Sequence, residues 1–258
     1  MGPMFRSFLE KISQAGSTRV LGPPPSPNGA SSFHLFWMVP SMPLAEVSAT
    51  IEIIEPPTVD KLYFWALQAN FQLGGTAKGG AHFGLQNHPE YPGAGAVNWG
   101  GYHDGGGELD GSASALVSAL NNVNTRNFRW KPRHPYGYRI FQAGERAWRG
   151  SITDLVTGSE VVVRDLRIDA DMILSPMVWT ESFADCGDPP AAVRWSELEG
   201  VTLDGRRIEI STVTVNYQSY ADGGCTNTNA YTDGSGFIQR TGTERRSTIG
   251  SQLTLTLG

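Results

Sequence analysis

Residues Tyr63–His103 read YFWALQANFQLGGTAKGGAHFGLQNHPEYPGAGAVNWGGYH. Three short aromatic-bearing runs stand in this stretch, separated by glycine-rich turns. Within each run apolar and polar side chains alternate, the period of an extended strand with one buried face. In the first run, Tyr63, Trp65, Leu67, Ala69 and Phe71 fall on one side, and Phe64, Ala66, Gln68, Asn70 and Gln72 on the other. The second places Ala81, Phe83 and Leu85 inward against His82, Gly84 and Gln86, and the third places Val97 and Trp99 inward against Asn98. If the three strands are neighbours, amides and one imidazole share a solvent-facing patch.

The same rhythm continues outward. Strand-like segments occur at 33–39, 47–54, 61–73, 80–86, 95–99, 137–142, 146–153, 159–166, 177–184, 191–195, 208–217, 236–241 and 252–257, with turn signals such as Thr157-Gly158 and Asp204-Gly205 between them. About a dozen strands at this spacing predict an all-β sandwich or barrel. Residues 108–124 interrupt the rhythm, and Ala113–Leu120 is expected to hold a helical turn or two. At the front, Phe5, Phe8, Leu9 and Ile12 have helical spacing, and Gly22–Gly29 is proline-rich. Residues 1–30 are therefore read as an arm and 31–258 as one sandwich domain, the arm packing on the body or on a second subunit as a homo-oligomer contact.

Composition narrows the function. Charged residues make up 17% of the 258-residue chain, below the globular average of about 25%, so much of the surface is neutral and polar. A net charge of −5 argues against nucleic acid as partner, since a phosphate backbone demands a clustered basic face. The one basic run, Asn124–His134, reads as a solvated loop. No apolar stretch reaches the length of a membrane span, and the N-terminus lacks a secretory apolar run. As written the chain is expected in the cytoplasm, or outside the cell if a leader has been removed. Cys186 and Cys225 either pair in an oxidising compartment or remain thiols.

Amides donate and accept together, and aromatic rings stack on sugar faces, so Gln68, Asn70, Gln72, Gln86 and Asn98 with Trp179 suit carbohydrate or another polar small molecule. Trp99 and Trp148 are further stacking candidates, and glycines at 79, 80, 84, 100 and 101 would let a ligand approach the backbone. Arg194 is counted with the binding residues, although a structural Glu181–Arg194 ion pair inside the strands is the plainer reading. An enzyme on the same groove, a glycoside hydrolase or polysaccharide lyase, would use Glu181 as general acid or base with His82 as partner. A second carboxylate, Glu197 or Asp185, would be needed for a glycosidase. No G-x-S-x-G elbow or phosphate loop occurs. His82, His88 and His103, with Glu90 and Asp104, match no metal-ligand spacing, and Asp204, Asp222 and Asp233 read as turn caps, so no metal or cofactor is expected. A structural or assembly role is the third reading.

The runs GGAHFGLQ, AVNWGGY, AWRGSITDLVTGSEVVVRDL, MVWTESFADC and NYQSYADGGCTNTN resemble those of a group of uncharacterised, mostly actinobacterial proteins. The resemblance covers roughly residues 60–245 and implies a concanavalin A-like, jelly-roll β-sandwich. It implies no activity.

Overall fold

The computed structural model describes residues 21–40 and 42–256. The helix expected within the first fourteen residues lies outside them. Period-two patterning dominates what is described: β1 (Ser31–Trp37) buries every second side chain, and β2 (Leu44–Glu55) and β13 (Thr212–Tyr217) do nearly the same. Such strands bury one face only by stacking on a second sheet, and two antiparallel sheets result. The all-β, jelly-roll sandwich expected from sequence is the observed architecture.

The first sheet runs β16 (Gln252–Thr254), β13, β1, β10 (Met172–Ser182), β3 (Tyr63–Leu73), β4 (Thr76–Asn87), β5 (Gly95–His103), β6 (Thr125–Asn127). The second runs β14 (Asn229–Thr232), β15 (Phe237–Arg240), β11 (Ala192–Thr202), β2, β7 (Pro135–Gly144), β8 (Ala147–Asp154), β9 (Ser159–Arg167), with β12 (Arg207–Glu209) along β11. Strand β10 joins the layers. Its first part touches β2 at Ile173, a bulge at Ser175–Pro176 shifts the register, and its second half pairs with β1. Ser175 has φ of 47°, the kind of local distortion by which a bulge turns a strand.

Between the sheets lie Trp65, Trp99, Trp148 and Trp195, all fully buried with Tyr138, Phe33, Phe71, Phe83 and Phe237. Trp99 and Trp148 are thus core residues and cannot stack on a ligand. One polar side chain ties the layers together: Gln239 Oε1 accepts from Thr180 Oγ1 (3.0 Å) and Trp195 Nε1 (2.9 Å), and its Nε2 donates to the Phe33 carbonyl (2.7 Å).

Two expectations fail locally. Residues 108–124 hold no helix; the segment is an extended loop, pinned where Arg164 donates to the Val123 carbonyl (2.5 Å). The segment 208–217 is two strands, because Ile210 leaves the β12 ladder to bond Leu198 across the bulge in β11. Cys186 and Cys225 are paired, with Cα atoms 5.4 Å apart.

Candidate functional site

The outward face of the first sheet carries the candidate site, and strand register sets its layout. Across the strands, one row reads Ser32, Glu181, Phe64, Gln86, Ala96. The next reads His34, Trp179, Ala66, Gly84, Asn98, and the third Phe36, Met177, Gln68, His82, Gly100. A fourth continues through Leu174, Asn70, Gly80 and Tyr102. All of these share one face because each row is two residues from the last along every strand, except in β10, where the bulge at Ser175–Pro176 lengthens the step from Met177 to Leu174.

Much of this face is buried rather than wet. Phe64, Ala66, Met177 and Trp179 form a second apolar cluster, separate from the core, with Phe36 packed on it. Phe64 meets Trp179 edge-on at 5.0 Å between ring centroids and His82 at 5.5 Å. His82 also lies 5.8 Å from Trp179, and His34 flanks Trp179 at 6.0 Å. Enclosure by these rings disfavours the charged imidazolium, so burial lowers the pKa of both His34 and His82 to about 4. Both are neutral at pH 7.

Glu181 is the carboxylate of this lattice. Burial raises its pKa, and a hydrogen bond from the Asn28 side chain opposes part of that shift. On the other side of Phe64, in the same row, stands Gln86. Two strand spacings put their backbones about 10 Å apart, with both side chains on the same side of the sheet. The Gln86 side-chain oxygen is buried with no hydrogen-bond partner, as are Asn98 Oδ1, Trp179 Nε1 and His34 Nδ1. Buried polar groups are nearly always partnered, and atoms of Trp99, Trp148 and Asn227 elsewhere in the protein share this lack of a protein partner.

The remaining amides are engaged. Gln68 Nε2 donates to Asn70 Oδ1 (3.1 Å), Asn70 Nδ2 donates to the Ser175 carbonyl (2.9 Å), and Asn98 Nδ2 donates to Thr125 Oγ1 (2.8 Å). Gln72 sits at the far end of β3, beyond a bulge. The five amides therefore share a face, with Gln86 and Asn98 largely buried rather than solvent-facing. Nor do the glycines open the backbone to a ligand. A Cβ on Gly84 would lie 1.9 Å from the Trp65 carbonyl oxygen, one on Gly79 1.9 Å from that of Tyr102, and one on Gly101 2.2 Å from that of Gly80. Those glycines allow strands to approach one another. The Asn124 side chain occupies the space over Gly100.

Several expected partners lie elsewhere. Arg194 does not pair with Glu181; it sits on the second sheet, bonded to Glu52 (2.8 Å) and Asp233 (2.7 Å). Glu197 is also on the second sheet, accepting from Thr50 Oγ1 at 2.6 Å, and Asp185 lines a small cavity beside the disulfide. Neither faces Glu181, so the two-carboxylate geometry of a glycosidase is not formed by those residues. His82 stands two strands and two rows from Glu181, with Phe64 and Trp179 between, and the two side chains are not hydrogen-bonded partners. Among the described residues no group of three or more His, Cys, Asp or Glu is placed to hold a metal. Asp204, Asp222 and Asp233 bond the side chains of their own turns, at Thr202, Ser219 and Ser235. Asn28 and His34 were not singled out from sequence, and Phe64 was placed on this face without being counted among the site residues. His34 could have been found by carrying the period-two alternation one strand further.

No known protein family and no curated protein matches the chain. Among solved structures, it is similar to scytalido-glutamic peptidase with a peptide-based transition state analog, at 12% identity over 81% of this chain and 97% of that one, TM-score 0.44. Another is SCP-B, a member of the eqolisin family of peptidases in complex with the tripeptide Ala-Ile-His, at 10% identity over 82% and 98%, TM-score 0.44. A third is peanut lectin with a 9-mer peptide, at 12% identity over 75% and 72%, TM-score 0.28. At these identities and TM-scores the likenesses leave the site to be read from its own geometry.

Proposed function

We propose that the outward face of the first sheet binds an uncharged, extended polymer and that Glu181 and Gln86 hydrolyse an acyl bond in it, most simply a peptide bond. The observation that carries this reading is the row Glu181–Phe64–Gln86. It sets a burial-perturbed carboxyl and an amide whose buried oxygen has no partner on one face, beside unpartnered polar atoms of Trp179, His34 and Asn98. Burial raises the Glu181 pKa above the ordinary carboxylate value, which suits a group that both takes up and returns a proton.

In the reaction, ionised Glu181 takes a proton from water as the water oxygen bonds to the substrate carbonyl carbon. The Gln86 amide N–H donates to the oxyanion that develops on the carbonyl oxygen. Glu181 then returns the proton to the departing nitrogen, leaving a carboxylic acid and an amine. One carboxyl serves both transfers, which fits a face where neither Glu197 nor Asp185 supplies a second. Neutral His34 and His82, with Phe64, Trp179 and Met177, give the substrate an apolar, uncharged bed. The buried disulfide favours an oxidising compartment as the place of action.

The test is cleavage of a peptide library between pH 3 and 8, read by mass spectrometry, for wild type and Gln86→Leu. New termini that fall by 10²–10³-fold in the variant are expected from loss of one oxyanion donor; equal cleavage by both proteins would refute the assignment.

A second reading is carbohydrate binding without hydrolysis. It is favoured by Trp179, which is 7% exposed, with Gln68 and Asn70 on the neighbouring strand of the same face. Retention on insoluble polysaccharides, reduced by Trp179→Ala, with no peptide cleavage, would select it.

A further inference from the structure

We infer that Glu108 and the ring of Tyr102 together bind a cationic group of the substrate, a lysine or arginine side chain, at the β5 edge of this face. The inference rests on the peptide reading above and narrows its substrate: neutral where it crosses the aromatic bed, cationic where it leaves. Tyr102 continues the bed. Its ring lies 6.4 Å from His82, which lies 5.8 Å from Trp179. Unlike Trp179, at 7%, Tyr102 is 55% exposed. Along the edge of β5 an antiparallel bridge pairs it with Glu108. Directly opposed residues point to the same side of a sheet, their Cβ atoms about 4.5–5.5 Å apart. Glu108, itself exposed, therefore stands beside the Tyr102 ring on the outward face.

Hydrogen bonds fix where the Glu108 carboxyl lies. The Asn124 side chain covers Gly100, where a Cβ would meet its Cγ at 2.7 Å, and Asn124 Nδ2 donates to Glu108 Oε1. The Asn124 oxygen in turn accepts from Arg164 Nη1 at 3.2 Å. Arg164 is buried, and Gly111 makes room for it: a Cβ there would lie 1.9 Å from Arg164 Nη2. The series Arg164–Asn124–Glu108 thus holds one carboxyl oxygen over the Gly100 end of the third row. The second oxygen, Oε2, has no hydrogen bond or ion pair among the described residues. A free carboxylate oxygen beside an exposed ring suits an ammonium or guanidinium, since the ring face attracts the cation and the oxygen accepts from its N–H groups. Neutral His34 and His82 bring no competing cation at pH 7. Along β4, Gln86 stands six residues from Gly80, the partner of Tyr102, which is about 20 Å at about 3.4 Å per residue. An extended peptide running with the strands would reach Glu108 about five or six residues from the bond that is cut.

The experiment uses the full-length, oxidised protein and neutral peptides of about 15 residues, long enough to span the bed. One lysine, or norleucine as its uncharged counterpart, occupies each position in turn. Affinity is read by fluorescence anisotropy and cleavage by mass spectrometry, for wild type and for Glu108→Gln. That substitution keeps an acceptor for Asn124 and removes the charge, at an exposed position where folding does not depend on it. Wild type should bind lysine peptides about 10-fold tighter than their norleucine counterparts at one or more positions, and in Glu108→Gln the ratio should fall to about 1. No lysine advantage at any position, or one that survives in Glu108→Gln, overturns the inference. The two proposals fail separately: a lysine advantage that Glu108→Gln abolishes, in a protein that cleaves no peptide at any pH, keeps the cation site and discards hydrolysis. Cleavage with no lysine advantage keeps hydrolysis and discards the cation site.

Discussion

Replacing His82 with Phe should remove about half of an acid-dependent loss of stability. His82 and His34 are enclosed on the outward face and stay neutral until about pH 4, against an ordinary 6.5. The unfolded chain therefore takes up these protons near pH 6.5 and the native protein does not. The sign follows: both histidines leave stability at its full value above pH 6.5 and erode it as pH falls toward 4. A shift of that size corresponds to at most about 3.4 kcal/mol for each ring, at about 1.36 kcal/mol per pH unit. Partial exposure makes this an upper bound. Glu181, raised by burial, works in the opposite direction, costing stability as pH rises through its native midpoint. The assay is urea unfolding from pH 7.5 to 4.0 in half-unit steps, followed by tryptophan fluorescence. Wild type should lose stability across pH 6.5–4, and His82→Phe about half as much over the same window, its pH 7.5 value within about 1.5 kcal/mol of wild type. Parallel curves would show that His82 is solvated and titrates normally, which would undo the description of this face as an enclosed aromatic bed.

Other outcomes follow from the packing. Gln239→Leu removes the partner of Trp195 Nε1, Thr180 Oγ1 and the Phe33 carbonyl, and should cost about 3–9 kcal/mol in urea unfolding, at about 1–3 kcal/mol for each of the three groups. Gly84→Ala places a Cβ 1.9 Å from the Trp65 carbonyl, so β3 and β4 must separate; a melting temperature equal to wild type would show that the strands have room. Paired Cys186→Ser and Cys225→Ser substitutions open a link across 39 residues, worth about 4 kcal/mol on a chain-entropy estimate, and thermal unfolding should fall accordingly.

Much of this was written in the alternation of Tyr63–His103. Which side of β3, β4 and β5 faces the core follows from residues 63–99 alone, as does the shared face of Gln68, Asn70, His82, Gln86 and Asn98. What that face would look like was less legible. Phe64 and Ala66 break the polar half of the pattern, and Trp179 arrives from a strand more than a hundred residues away, so the apolar cluster depends on pairing that local periodicity does not encode. The same holds for charges. Arg194 and Glu181 both lie in strands, yet β11 and β10 belong to different sheets, and Arg194 finds Glu52 and Asp233 instead. The glycines misled for a related reason: Gly84 and Gly101 serve strand-to-strand contact, which reads in sequence like an opening for a ligand.

The central claim, that Glu181 moves the proton in hydrolysis on this face, is tested most directly by Glu181→Gln. The substitution keeps the side chain's size and one acceptor oxygen and replaces the titrating carboxyl with a neutral amide. Single-turnover cleavage of a peptide identified from the library should fall by at least about 10²-fold, the usual contribution of general acid–base catalysis, with peptide affinity by calorimetry retained. Cleavage at the wild-type rate by folded Glu181→Gln protein would contradict the account.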